Sequence, residues 1–254
     1  MAPGSAKRGA FAGFGDPDFR GEGKSVAPAT TRHLRSAPLL ATRGAGDVNY
    51  SSIAALPDTR GEILALAKAL NANAEQDVFL GKSASRDAVL KSDLSQRRII
   101  AFATHGLLAG EYPGMEQPAL ALANPGNGQH GLLSLDDILS LKLDADWVIL
   151  SACNTAAGDG RGGEAISGLG RGFFYSGSRS LLVTHWPVET VSAQNLVVGI
   201  FNELGKTPGL LRAEALRKSM LSVMASDGGE GRFRFSYAHP MFWAPYALIG
   251  DGGK

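Results

Sequence analysis

The chain has 254 residues and a nearly balanced charge, with 25 Lys and Arg against 24 Asp and Glu. This balance provides no electrostatic footprint for nucleic acid or an anionic membrane, so neither is expected as a direct partner. Apolar residues make up 44% of the chain, which is enough for a sizeable core. The single cysteine excludes an internal disulfide and fits a reducing compartment. Without a long apolar run or a signal-peptide core, the pattern predicts a soluble, cytoplasmic protein.

Residues 1–50 carry the weakest pattern in the chain. The stretch 10–18 predicts a short strand that ends in a turn. Residues 20–49 are rich in Gly, Pro, Ser, Thr and Arg without any periodicity, which is typical of a long loop or of disorder. The chain is therefore divided into a poorly defined segment, 1–50, and a folded domain, 51–254.

The folded domain begins with a helix start at 56–62, where Asp58 or Thr59 is a candidate cap. The inward face of this helix is predicted to carry Ile63, Leu64, Leu66, Ala67 and Leu70. A short strand at 78–81, a helix capped by Ser83 or Ser85, and an apolar strand at about 98–104 come next. The Asn-Gly pair within 124–128 predicts a hairpin-like turn between two apolar runs, and Ser134 is the candidate cap of a helix at 135–141.

The second half alternates strands and helices. Residues 147–150 form an unbroken apolar run, typical of a strand buried on both faces. The later elements are predicted as a helix at 164–176, a strand at 180–184, helices at 190–204 and 208–224, a Gly-rich turn, and a last strand ending at Gly250. This alternation predicts an α/β fold with a central, mostly parallel sheet flanked by helices.

Two reactive side chains follow two of these apolar strands. His105 comes after the strand at 98–104, and Cys153, the lone thiol, comes shortly after the strand at 147–150. If these strands are parallel neighbours, both residues emerge at one edge of the sheet, where open α/β sheets place their sites. A thiol becomes a nucleophile when an imidazole takes its proton. The N–H groups of Gly106 and Cys153 are candidate donors of an oxyanion hole.

The motifs around these residues resemble those of the CHAT domain, a bacterial relative of caspases and separases. The resemblance rests on 103–106, on 150–155 and on the closing His239-Pro240, Phe242-Trp243 and Gly250, with further similarity at 56–62, in the helix after Gly168 and at 186–188. It covers about residues 56–250, and extends to Phe11 if the first strand belongs to it.

The resemblance implies a caspase-like three-layer sandwich and a cysteine endopeptidase that acts on protein or peptide substrates without a cofactor. In this reading His105 is the general base, Cys153 is the nucleophile, and the N–H groups of Gly106 and Cys153 hold the oxyanion. CHAT domains often follow TPR or other repeat modules, so a TPR-type regulatory partner is also implied. Glu189 stands where the family often has Asp.

Substrate preference has only weak signals. Three acidic residues near the two strand ends could receive a basic side chain of the substrate: Asp159, Glu164 and Glu189. Each by itself is more typical of a solvated loop or of a helix cap, and Glu164 in a first helical turn is the clearest such case.

Two other functions, a nucleotide-binding domain and an inactive scaffold, are alternatives to the peptidase. The stretch 158–163 satisfies the G-x-G-x-x-G pattern of dinucleotide sites, but it lies too far from its strand and no acidic residue ends the next strand. One Cys and widely spaced His residues predict no metal site. A catalytically inactive caspase-like scaffold that binds a protein partner is the alternative to the enzyme, and it is favoured if His105 and Cys153 do not converge.

Overall fold

A computed structural model describes residues 7–20, 53–112, 115–126, 130–151, 163–186, 188–230 and 233–253. The largest element is a six-stranded sheet in the order β11-β8-β7-β3-β1-β2. Its strands are β1 (Gly9–Pro17), β2 (Val78–Gly81), β3 (Arg97–Ala103), β7 (Trp147–Leu150), β8 (Ser180–Thr184) and β11 (Tyr246–Gly250). All neighbouring pairs are parallel except β11 with β8.

Within the described residues, two smaller sheets accompany the large one. The first is antiparallel and contains β4 (His105–Leu107), β5 (Ala119–Ala121) and β6 (Leu132–Ser134). Its β5 and β6 are the two strands of the hairpin predicted around 124–128. The second is a hairpin of β9 (Asp227–Glu230) and β10 (Phe233–Ser236). The sequence pattern predicted only a turn in this region, because the glycines that form β9 are poor strand formers.

Helices cover both faces of the large sheet. Those described are α1 (Asp58–Ala69), α2 (Ala74–Asp77), α3 (Arg86–Lys91), α4 (Leu135–Ser140), α5 (Gly163–Tyr175), α6 (Thr190–Lys206) and α7 (Arg212–Met224). Side chains alternate between the faces of each strand, so Phe11 packs with the layer of α1, α6 and α7, while Phe14 packs with the layer of α3, α4 and α5. The predicted α/β fold with a central, mostly parallel sheet is therefore confirmed. None of the helices in the described ranges is long and apolar enough to cross a membrane.

The predicted helix caps are partly correct. Ser85 accepts the N–H of Ala88 at the start of α3, and Ser134 forms a complete capping box with Asp137 at the start of α4. The predicted caps of α1 are wrong, because the helix is preceded by Pro57, which makes no side-chain cap. The inward placement of Leu64 is also wrong, since this side chain is 41% exposed while its neighbours Ile63 and Leu66 are fully buried.

The start of α1 is instead tied to β1. The hydroxyl of Thr59 donates to the carbonyl of Leu56 at 2.7 Å and accepts the N–H of Asp16, also at 2.7 Å. Asp16 has a φ of 45°, and the strand register shifts between Gly15 and Pro17. These hydrogen bonds fix the carboxyl end of β1 against the helix that follows it in the fold.

The predicted strand at 10–18 is present as β1, which hydrogen-bonds to β3 on one side and β2 on the other. The strand therefore shares a sheet with the elements beyond residue 51, while the predicted division of the chain at residue 50 stays a prediction. Residues 21–50, where a loop or disorder was predicted, lie outside the described residues.

An ion-pair cluster lies at the amino-terminal ends of the strands of the large sheet. Asp146, just before β7, lies 3.1 Å from Arg8, 3.0 Å from Arg98 and 3.5 Å from Arg179. Asp144 pairs with Arg8 and Arg179 at 3.4 and 2.5 Å. Because these residues come from the starts of β1, β3, β7 and β8, the cluster joins four adjacent strands at the edge opposite the site described next.

Candidate active site

The strands that precede the two predicted catalytic residues are direct neighbours. β3 and β7 are parallel, and their register pairs Phe102 with Leu150. His105 follows Phe102 by three positions, and Cys153 follows Leu150 by the same number. The two residues were predicted to converge if their strands were parallel neighbours. The structure meets this condition. Cys153 itself lies outside the described residues.

His105 is the first residue of β4, two positions after the end of β3. Its side chain is buried, with 8% exposed. Its Nε2 atom lies 2.8 Å from the carbonyl oxygen of Ala54, a residue 51 positions earlier in the chain. A carbonyl accepts hydrogen bonds but cannot donate them, so Nε2 carries the hydrogen of this bond. In the neutral ring, Nδ1 then holds the lone pair that can take a proton.

Ala54 belongs to a short segment that leads into α1, residues 53–56, which we call the strap. The strap is anchored at both ends by buried side chains, Ile53 at 5% and Leu56 at 8% exposed, while Ala54 between them is exposed. The sequence does not predict this contact, because nothing in the pattern around Ala54 signals a histidine 51 residues away.

A second neighbour of His105 is the ring of Phe19. The two ring centroids are 5.7 Å apart, with 41° between the ring planes. Phe19 is 2% exposed and belongs to an apolar cluster on the small sheet. We call this set the β4 cluster; its members are Phe19, Ile53, Leu107, Tyr112, Met115, Ala119, Ala121 and Leu132. His105 and Leu107 lie two positions apart on β4, so both side chains point to the face that the cluster covers.

The other predicted site residues are only partly described. Gly106 lies in β4, half-buried and opposite Leu120 of β5, and its role in an oxyanion hole stays a prediction. Asp159 lies outside the described residues, as does the Gly-rich stretch 158–162. Glu164 lies in the first turn of α5, where its side chain is not described.

Glu189 has a local partner. Its carboxylate accepts the backbone N–H of Ser192 at 2.8 Å and so caps α6. The cap explains why an acidic residue suits this position, since it binds a backbone donor at the positive end of the helix dipole. A further role for Glu189 in a substrate pocket stays a prediction. Within the described ranges, no three His, Asp or Glu side chains lie close enough together to hold a metal ion.

The partly buried carboxyl of Glu111 is a further feature that the sequence pattern does not predict. Glu111 follows β4, and its carboxylate accepts the N–H of Leu108 at 2.7 Å. Burial raises the pKa of the Glu111 carboxyl above its ordinary value, although the hydrogen bond from Leu108 works in the opposite direction. A lone Glu in a Gly- and Pro-rich loop gives no sequence signal of burial.

Comparison with known families gives one match, which covers nearly the whole chain. The CHAT domain matches residues 2–251, so the matched region includes β1 as well as every strand beyond it. No curated protein matches the chain.

Proposed function

Because the chain belongs to the CHAT domain family, which is related to caspase-like peptidases, we propose that it is a cysteine endopeptidase with Cys153 as nucleophile and His105 as general base. The observation that carries the proposal is the buried His105 at the start of β4, just beyond β3, with its Nε2 bound to the carbonyl of Ala54. The register of β3 and β7 supports the pairing, since His105 and Cys153 follow paired residues by equal distances.

The proposed reaction has two stages. His105 takes the proton of the Cys153 thiol through Nδ1, and the thiolate attacks the scissile carbonyl carbon. Backbone N–H groups of Gly106 and Cys153 stabilise the oxyanion until the C–N bond breaks and the imidazolium protonates the leaving amine. A water molecule then gives its proton to His105 and attacks the thioester, which releases the acid and regenerates the thiol.

Substrate choice and control are part of the proposal. The candidate acids that would bind a basic substrate side chain are Asp159, Glu164 and Glu189. Glu189 would do so while its carboxylate also caps α6. Control by a TPR-type partner on another polypeptide, or elsewhere in a longer protein, is proposed from the family alone.

Profiling against a peptide library, with and without a thiol alkylator, tests the function directly. We expect cleavage that the alkylator abolishes, and no cleavage by Cys153→Ala although its circular dichroism and melting temperature match the wild type. Cleavage of the same peptides by Cys153→Ala would overturn the mechanism. If the isolated chain is inactive, the assay is repeated in the presence of a TPR-type partner that co-purifies with the chain.

A further inference from the structure

We propose that Phe19 and Ile53, two members of the β4 cluster, are positioning residues that hold the imidazole of His105 in one orientation and one tautomer. The proposal rests on the proposed function for its kinetic consequence, whereas the placement of the imidazole is measurable without any activity. Neither residue stands near His105 in the sequence, and no motif points to either.

Ile53 acts through the backbone. Its buried side chain packs in the same cluster as Leu107, which lies two positions from His105 on β4. The next residue along the strap, Ala54, provides the carbonyl 2.8 Å from Nε2 of His105. Because Ala54 is exposed, its own side chain does not anchor this carbonyl. The anchors are the buried residues on either side, Ile53 and Leu56.

Phe19 acts on the ring itself. Its centroid lies 5.7 Å from that of the imidazole, and at 2% exposure the phenyl ring has little freedom to leave. The residue directly opposite His105 on β5 is Ala121. Directly opposite side chains in an antiparallel pair are about 5 Å apart at Cβ, so a small residue here leaves space for Phe19 beside the imidazole.

Hydrogen bonds fix the backbone of Phe19 from two sides. The N–H of Asp18 donates to the carbonyl of Gly81 at 3.2 Å, and the N–H of Asn124 donates to the carbonyl of Asp18 at 2.9 Å. The side-chain amide of Asn124 also reaches the carbonyl of Phe19, at 3.4 Å. The phenyl ring is therefore held by β2 and by the segment after β5, independently of β4.

The consequence for the reaction follows from tautomer and geometry. With Nε2 donating to Ala54, only Nδ1 can accept a proton, so a ring that rotates or changes tautomer loses its function as a base. A displacement of about 1 Å at a catalytic group costs roughly a hundredfold in rate. Loosening the imidazole should lower kcat more than it changes KM, since the proposed role of His105 is proton transfer and not peptide binding.

Phe19→Leu is the test, because leucine keeps an apolar side chain at this buried position and removes the flat ring. Phe201→Leu is the matched control: Phe201 is also buried, at 5% exposed, but its ring contacts Trp147 in the core layer of α1, α6 and α7, outside the β4 cluster. Imidazole ¹⁵N resonances of the full chain report the tautomer of His105, and the spectrum of His105→Gln assigns them. Ile53→Val is the second variant, the mildest change at the strap.

We expect the Nε2–H tautomer for wild type and Phe201→Leu, and mixed tautomers for Phe19→Leu and, more weakly, Ile53→Val. On a cleaved peptide, kcat of Phe19→Leu should fall by about tenfold to a hundredfold with KM changed less. Wild-type imidazole resonances in both Phe19→Leu and Ile53→Val would overturn the proposal. Because the resonances need no substrate, that outcome is distinct from a failure of the peptidase assignment.

Discussion

Arg86 donates two hydrogen bonds to the carboxylate of Asp137, from Nε at 2.8 Å and from Nη2 at 2.6 Å. The same carboxylate accepts the N–H of Ser134 at 3.0 Å, which completes the capping box of α4. One side chain thus joins α3 to α4 across 51 residues of sequence. Burial opposes ionisation here, but the hydrogen bonds from Arg86 and Ser134 outweigh it, and the pKa of the Asp137 carboxyl is lowered.

Replacing this carboxylate should destabilise the protein in a pH-dependent way. At neutral pH, Asp137→Asn should lower the free energy of unfolding by about 1–2 kcal/mol, toward the low end for charged hydrogen bonds because Arg86 is partly exposed. Since the folded-state pKa is depressed, the contribution is complete above the unfolded value near 3.8 and is lost as the pH falls through the folded value. Urea unfolding at pH 7 and pH 3 measures both effects.

Asp87→Asn is the matched control for that experiment. Asp87 lies in α3, the helix of Arg86, and pairs with Lys91 at 2.6 Å, but both side chains are exposed. Exposed pairs of this kind contribute little, so this variant should unfold almost like the wild type. Equal losses in the two variants at pH 7 would contradict the role assigned to Asp137.

The proposed catalytic base, His105, gives the sharpest activity prediction. His105→Gln should lower kcat by about 10²–10⁴-fold, because the amide cannot take the thiol proton. His130→Gln is the control, since His130 is exposed. Initial rates on a peptide selected from the library measure both. A His105→Gln enzyme within a few-fold of the wild-type rate would show that the proton goes elsewhere.

Glu111 should make stability depend on pH with the opposite sign to Asp137. Its folded-state pKa is raised by burial, so the fold favours the protonated carboxyl and loses stability as the pH rises from the unfolded value near 4.5 through the folded value. In Glu111→Gln, an amide oxygen can still accept from Leu108 without a charge. The melting temperature of the variant, relative to wild type, should therefore rise from pH 4 to pH 8; a constant difference would rule out a desolvated carboxylate.

Substitutions at two glycines with positive φ can distinguish the cost of backbone strain from the cost of steric overlap. Gly177 has a φ of 113°, and a Cβ there would meet the carbonyl oxygen of Leu143 at 2.1 Å. Gly209 has a φ of 82°, with nothing within 4 Å of its Cβ position. Gly209→Ala should cost about 1–2 kcal/mol from conformation alone. Gly177→Ala should cost clearly more, because the backbone itself must move. Chemical denaturation compares the two, and equal losses would contradict the overlap.

The sequence predicts most of this fold because its signals are local. Unbroken apolar runs identify β3, β7 and β8, and Ser85 and Ser134 stand one residue before the helices they cap. At α1 the local rule failed, because Thr59 binds β1 and its own preceding turn instead of capping.

The candidate site is less accessible to such rules. His105 was found because a reactive residue followed an apolar strand, and that signal is also local. Its neighbours Ala54 and Phe19 were not found, because their contacts join segments 51 and 86 positions apart. Burial of Glu111 was missed for the same reason: the residues that exclude water from it come from the tertiary fold.

The position of β1 has a consequence for how the protein can be handled. This nine-residue strand lies between β3 and β2, and its Phe11 and Phe14 enter opposite core layers. The strand is therefore held by hydrogen bonds along both edges and by apolar packing on both faces. If the chain is cleaved within 21–52, its two fragments should reassemble. A synthetic peptide of residues 1–20 should then restore the melting transition of the fragment that lacks β1. The chain would then serve as a split protein, in which assembly of the sheet can be switched on by adding one strand.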